Sequence, residues 1–209
     1  MSDTTAGTEW VTWGVASRPL PGAPESGDQY WIRCPPGSLE VAVADGLGHS
    51  TSAAAAARAA LSALEGSTVG DPLEAVLRRA HDAARNTRGA VMSVVRCRLG
   101  CGTLTWLGVG NVQAALFSEG TAGAAVPKAS LLMRGGVVGH RLPSLHATTV
   151  SVAPGDVLVL ATDGLCSEWS RTFTLWGTPQ EMADRALAAH VRPTDDALVL
   201  VARFAERGV

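Results

Sequence analysis

Two strand-type runs, Gln29–Cys34 and Leu39–Ala44, flank Pro35-Pro36-Gly37-Ser38, a spacing that predicts an antiparallel hairpin. Proline presets φ, and glycine takes the positive φ that a tight turn demands. With Cys34 opposite Leu39, paired positions sum to 73 (34 + 39), and Asp28 falls directly opposite Asp45 (28 + 45). Residues so paired carry Cβ atoms about 4.5–5.5 Å apart on one face, where like charges repel. Two carboxylates in that arrangement call for a cation between them.

The rest of the chain repeats this pattern. Strand-type runs cover Trp10–Ser17, Val91–Leu99, Thr103–Val109, Val112–Phe117, Ala147–Val152, Val157–Thr162 and Ala197–Phe204, and Ala153-Pro154-Gly155-Asp156 fits a second tight turn. Helices are expected over Ser50–Leu64, Asp71–Thr87 and Thr178–His190. In the second, Asp71 is the expected N-cap, Pro72 the first helical residue and Glu74 the far side of a capping box; Thr178, Pro179 and Glu181 repeat the device in the third. Many antiparallel strands and a few helices with one stripe to bury define an α+β layered sandwich.

Asp163 follows the run Val157–Thr162, while Asp195 and Asp196 precede Ala197–Phe204. If those strands are antiparallel neighbours, the acids reach one rim, and the hairpin can bring Asp28 and Asp45 to it. A single aspartate beside a strand is ordinarily a turn residue, above all in Asp-Gly. Here Asp45-Gly46 and Asp163-Gly164 both end strongly apolar strands, and Asp195-Asp196 doubles a charge before a third, which turn chemistry does not require. Oxygen donors with only His49 nearby suit Mg²⁺ or Mn²⁺ rather than zinc. His49 fits either an acid for a leaving group or a side chain of the helix-capping region.

Composition narrows the functional classes. Lys+Arg 17 against Asp+Glu 19 leaves a formal charge of -2, with no basic surplus for nucleic acid or an anionic membrane. No apolar stretch reaches the roughly 20 residues that span a bilayer, and Met1–Thr5 does not begin a secretory signal, so the expected compartment is the cytoplasm. Cys34, Cys97, Cys101 and Cys166 are scattered and are expected as reduced thiols, not a disulfide framework or zinc site. With 46% hydrophobic residues, residues 1–209 are expected to form a single domain.

Five segments, in order, carry a resemblance: Ser26-Gly27-Asp28; Val43-Ala44-Asp45-Gly46-Leu47-Gly48-His49; Gly108-Val109-Gly110-Asn111; Pro154 through Gly164; and Asp195-Asp196-Ala197. Together they resemble the metal-dependent type-2C (PPM) protein phosphatases, in their SpoIIE-like bacterial branch. The Asp45–His49 loop and Gly136-Val137-Val138-Gly139 look most like the stand-alone phosphatases of stressosome modules. The resemblance implies a four-layer α-β-β-α sandwich of two antiparallel sheets flanked by helices, with two Mn²⁺ or Mg²⁺ ions at one end. Asp45 would bridge the ions, Gly46 would add its backbone carbonyl, Asp163 and Asp195 would complete the site, and Asp28 would bind directly or through water. Gly48, His49, Asn111 and Asp196 would support them.

The substrate class implied is phosphoserine or phosphothreonine on a STAS-domain or stressosome-type regulator, attacked by metal-activated water. Apart from the resemblance, a monomer is the expected state. A catalytically silent adaptor for the same phosphorylated regulator is the alternative. Two positions depart from the family: Ala197 follows the acids where threonine is frequent, and Ser50 follows His49 where glycine is common. No arginine stands near Asp28 in sequence to grip phosphate; Arg18 and Arg33 are expected as ordinary surface and strand arginines.

Overall fold

The computed structural model describes residues 6–121 and 124–205, so Met1–Thr5, expected to carry no secretory signal, lies outside the described residues. One antiparallel sheet comprises β1 (Ala6–Thr8), β2 (Val11–Arg18), β7 (Gln113–Glu119), β8 (Ala125–Ser130), β10 (Val157–Ala161) and β11 (Ala197–Phe204), in the spatial order β1-β2-β11-β10-β7-β8. The other runs β3 (Asp28–Arg33), β4 (Ser38–Gly46), β5 (Ala90–Arg98), β6 (Thr103–Val109) and β9 (Thr148–Ser151). Helices α1 (Thr51–Ser62) and α2 (Leu73–Ala84) cover the second sheet; α3 (Trp169–Thr172) and α4 (Pro179–His190) cover the first.

The period of two along each strand explains the four layers. In β4, Leu39, Val41 and Val43 point between the sheets, while Ala42 and Ala44 pack under α1 and α2. In β10 and β11, Leu158, Leu160, Leu198 and Leu200 fill the same inter-sheet core, and Val157, Val159, Val199 and Val201 meet α4. Burial on both faces is why these strands are continuous apolar runs, each large side chain contributing roughly 1.5–3 kcal/mol. Trp106 and Trp169 are fully buried, whereas Trp176 lies on the surface.

The hairpin register agrees with the expectation at every pair, from Asp28 opposite Asp45 to Arg33 opposite Glu40. Its turn closes with the Ser38 amide donating to the Pro35 carbonyl at 3.0 Å and Gly37 at φ +70°. β10 and β11 are antiparallel neighbours, as the shared rim requires.

Five features differ from the expectation. Asp71 does not cap α2: Pro72 is the N-cap, and the Asp71 carboxylate accepts instead from Thr68 and Arg79. The Glu74 carboxylate accepts from the Ala147 amide rather than closing a capping box. In α4, by contrast, Thr178 and Glu181 form the expected box. β8 was not expected, because Pro127 and Lys128 interrupt any strand pattern; it is an edge strand, with a register shift at Leu116/Phe117 beside the proline, where a missing N–H costs no ladder bond. The short β1 and α3 also escape detection from sequence.

Arg33 has a structural role. It and Arg96 pair with the buried Glu40 directly across the sheet, and both donate onward to carbonyls of the 67–71 loop. Arg18, expected on the surface, is half-buried and donates through Nη2 to the Arg192 carbonyl at 2.8 Å.

Candidate metal centre

Asp45 has the strand parity of Leu39, Val41 and Val43, so its side chain belongs to the inter-sheet face, at the last turn-ward position before the chain leaves β4. Asp28 begins β3 opposite it. From the other sheet, Thr162 extends β10 with the parity of Leu158 and Leu160, and its Oγ1 donates to Asp28 Oδ2 at 2.7 Å while accepting from the Leu198 amide at 2.9 Å. That hydroxyl links the two sheets across the rim. Asp163 follows it, and Asp195 stands just before β11.

An open cleft of about 460 Å³ lies at this rim, with Asp45, Asp163, Asp195, His49, Asn111 and Gly48 on its wall. Asn111 Nδ2 donates to Asp163 Oδ2 at 2.6 Å, and His49 Nδ1 lies 3.1 Å from Asp195 Oδ1. His49 therefore orients an acid rather than capping α1, whose N-cap Ser50 makes no side-chain capping bond. Asp196 is a structural acceptor: its two oxygens take the Leu20 amide at 2.7 Å and the Gly27 amide at 2.9 Å, which fixes the approach to Asp28. It also groups with His49 and Asp195 closely enough for one ion, but its oxygens are already engaged by these amides.

The glycines explain how backbone reaches the rim. A Cβ on Gly46 would sit 1.9 Å from the Ala53 carbonyl, and one on Gly164 would sit 1.8 Å from that of Asp196. Neither position has room for any side chain. The Asp-Gly dipeptides are thus packing requirements as well as turn residues.

Electrostatically the site is unbalanced. Burial raises the Asp28 carboxyl to about 8, reinforced by the Asp45 charge and partly offset by the Thr162 hydrogen bond. Burial likewise raises Asp45 to about 7, with the charges of Asp163, Asp195 and Asp196 adding to it. Asp195 is raised by burial and by Asp163, with His49 opposing. Among the described residues, no lysine or arginine forms an ion pair with Asp28, Asp45, Asp163 or Asp195. A hard, oxygen-rich donor set without a cationic partner fits a divalent ion.

Sequence reasoning missed Thr162, whose signal was its place directly before Asp163 on the inter-sheet parity. It also missed Val91 and Gly135 on the cleft wall, which carry no chemical signature, whereas Gly110 and Gly136 belong to the segments that carry the resemblance.

This fold and this rim define a phosphoprotein phosphatase of the type-2C class. The architecture overlays the crystal structure of RsbX in complex with magnesium, with a TM-score of 0.82, 22% identity, and coverage of 97% of this chain and 99% of that one. It also overlays the PstP catalytic domain in complex with two manganese ions, at TM-score 0.69 and 16% identity over 94% of this chain and 99% of that one. At these identities the likeness is one of fold. More specifically, residues 35–206 match the Stage II sporulation protein E (SpoIIE) family model, and the chain belongs to that family.

Within the family, the chain is 27% identical over 177 residues to the phosphoserine phosphatase RsbX of Bacillus subtilis (strain 168), spanning 84% of this chain and 85% of that protein. A structure from work on the bacterial stressosome as a modular system adapted to control secondary messenger signalling aligns at TM-score 0.80 and 26% identity. That alignment covers 92% of this chain and 99% of the other.

Proposed function

We propose that this chain hydrolyses phosphoserine or phosphothreonine on a bacterial signalling regulator of STAS-domain or stressosome type, using water activated at the acidic rim. The observation that carries the reading is Asp28 and Asp45 directly opposite one another with carboxyls raised to about 8 and about 7. A folded protein keeps such a pair at a cost in stability, and a functional cation gives the reason.

In this reading Asp45, Asp163 and Asp195, with the Gly46 carbonyl, would hold two Mn²⁺ or Mg²⁺ ions, and Asp28 would contribute directly or through water. When bound, such ions would lower the pKa of a coordinated water toward neutrality and offset charge on the phosphoryl oxygens. Asn111 fixes the rotamer of Asp163, His49 that of Asp195, and Asp196 the backbone before Asp28. Gly48, at φ +98°, leaves room at the cleft lip for the Arg88 guanidinium, whose Nη1 a Cβ there would meet at 2.6 Å. In this reading residues 1–209 act as one domain and as a monomer in the cytoplasm. Separately, no helix of the described residues is long and apolar enough to cross a membrane.

The test is phosphate release from a phosphorylated STAS-domain protein with Mn²⁺, with Mg²⁺ and with EDTA. We expect turnover with either ion and none with EDTA. Turnover that EDTA leaves intact would exclude the metal-activated water, and binding of the phosphoprotein without turnover would favour the adaptor reading.

A further inference from the structure

Behind the Asp163 loop, on the side of α4, three side chains form a hydrogen-bonded series that the phosphatase chemistry does not use. Cys166 Sγ lies 3.2 Å from His190 Nδ1, and His190 Nε2 lies 2.8 Å from Thr172 Oγ1. With its proton on Nε2, the imidazole donates to the Thr172 hydroxyl and offers Nδ1 to the thiol, so a single tautomer satisfies both contacts. This is a nucleophile, a base and a group that orients the base. His190 and Thr172 also border a cavity of about 170 Å³ walled by Trp169, Phe173 and Met182, while Cys166 stands outside its wall and is itself half-buried.

We infer that Cys166, with His190 and Thr172, is a thiol-modification site that forms mixed disulfides with low-molecular-weight disulfides. His190 Nδ1 takes the thiol proton as Sγ attacks one sulfur of the reagent. The reagent's S–S bond breaks, its second sulfur leaves as a thiolate with the bonding pair, and His190 releases the proton to solvent.

The other cysteines provide internal controls. Cys97 is fully buried with its thiol pushed up to about 12 by burial, Cys34 is partly buried with its thiol also raised by burial, and Cys101 is exposed but has no imidazole partner.

The site is coupled to the acidic rim. The Cys166 amide donates to the His190 carbonyl at 2.9 Å, and the Arg192 amide donates to the Gly164 carbonyl at 2.8 Å. Gly164 abuts the Asp196 backbone without room for a methyl group. An adduct at Cys166 therefore displaces the segment that carries Asp163, and it lowers turnover. This consequence rests on the phosphatase reading, whereas the modification site does not.

The experiment treats the full chain with 5,5′-dithiobis(2-nitrobenzoate) at pH 7 and locates adducts by mass spectrometry. Cys166 is expected to label first, ahead of the more exposed Cys101 and about tenfold faster than Cys34, with Cys97 unlabelled as a reporter of the intact fold. His190→Gln and, independently, Thr172→Val should each slow Cys166 by about three- to tenfold. Labelling in order of exposure, with Cys101 first and Cys166 unaffected by either variant, overturns the site.

The singly labelled chain should release phosphate at least about tenfold more slowly, with dithiothreitol restoring it and Cys166→Ser resisting the reagent. Unchanged turnover of the adduct overturns the coupling. Absence of phosphate release from the unlabelled chain counts against the phosphatase reading alone.

Discussion

The central pair of residues, Asp28 and Asp45, ties pH, metal and stability together. Carboxyls raised to about 8 and about 7 in the folded chain keep protons that the unfolded chain releases above about pH 4. Where the folded state binds more protons, stability falls with rising pH, so the metal-free chain loses stability from about pH 4 to about pH 8 and then levels off. Melting curves at pH 5.5 and 8.5 should show the lower midpoint at 8.5, and saturating Mn²⁺ should remove the difference by replacing the protons. Asp45→Asn should stabilise the metal-free chain at pH 8.5 by roughly 0.2–1 kcal/mol, the scale of one cross-strand charge pair, while abolishing phosphate release. Asn111→Ala, which frees Asp163, should weaken Mn²⁺ activation by about 10–100-fold, read from the Mn²⁺ dependence of turnover.

At the scale of elements, the two expected capping boxes have different fates and different consequences. Thr178→Ala removes the cap of α4 and should cost about 0.5–2 kcal/mol in denaturant melts, without changing the Mn²⁺ dependence. The β3–β4 register was legible because a Pro-Gly turn fixes which residues oppose each other, and an offset of one would turn every apolar side chain to the wrong face. Asp71 was misleading because its sequence neighbours satisfy a cap in α2 as well as they do in α4. What decides is Thr68 and Arg79, which reach the carboxylate first. β8 was hidden because an edge strand tolerates Pro127, and edge position is a property of the whole sheet rather than of the segment.

At the scale of the molecule, two sheets that face one another bring the β3–β4 acids and the β10–β11 acids to one end. Each acid was visible in sequence as a polar break beside an apolar run. Their meeting is legible from the hairpin register and from the assumed pairing of β10 with β11, which the structure shows. The Thr162 bridge between sheets was not legible, because it depends on which strand of one sheet lies over which strand of the other. The most direct measurement is anomalous scattering from a crystal soaked in Mn²⁺. Two peaks among Asp45, Asp163, Asp195 and the Gly46 carbonyl are predicted, both lost in Asp45→Asn; a wild-type rim without manganese, or manganese bound only elsewhere, would contradict it.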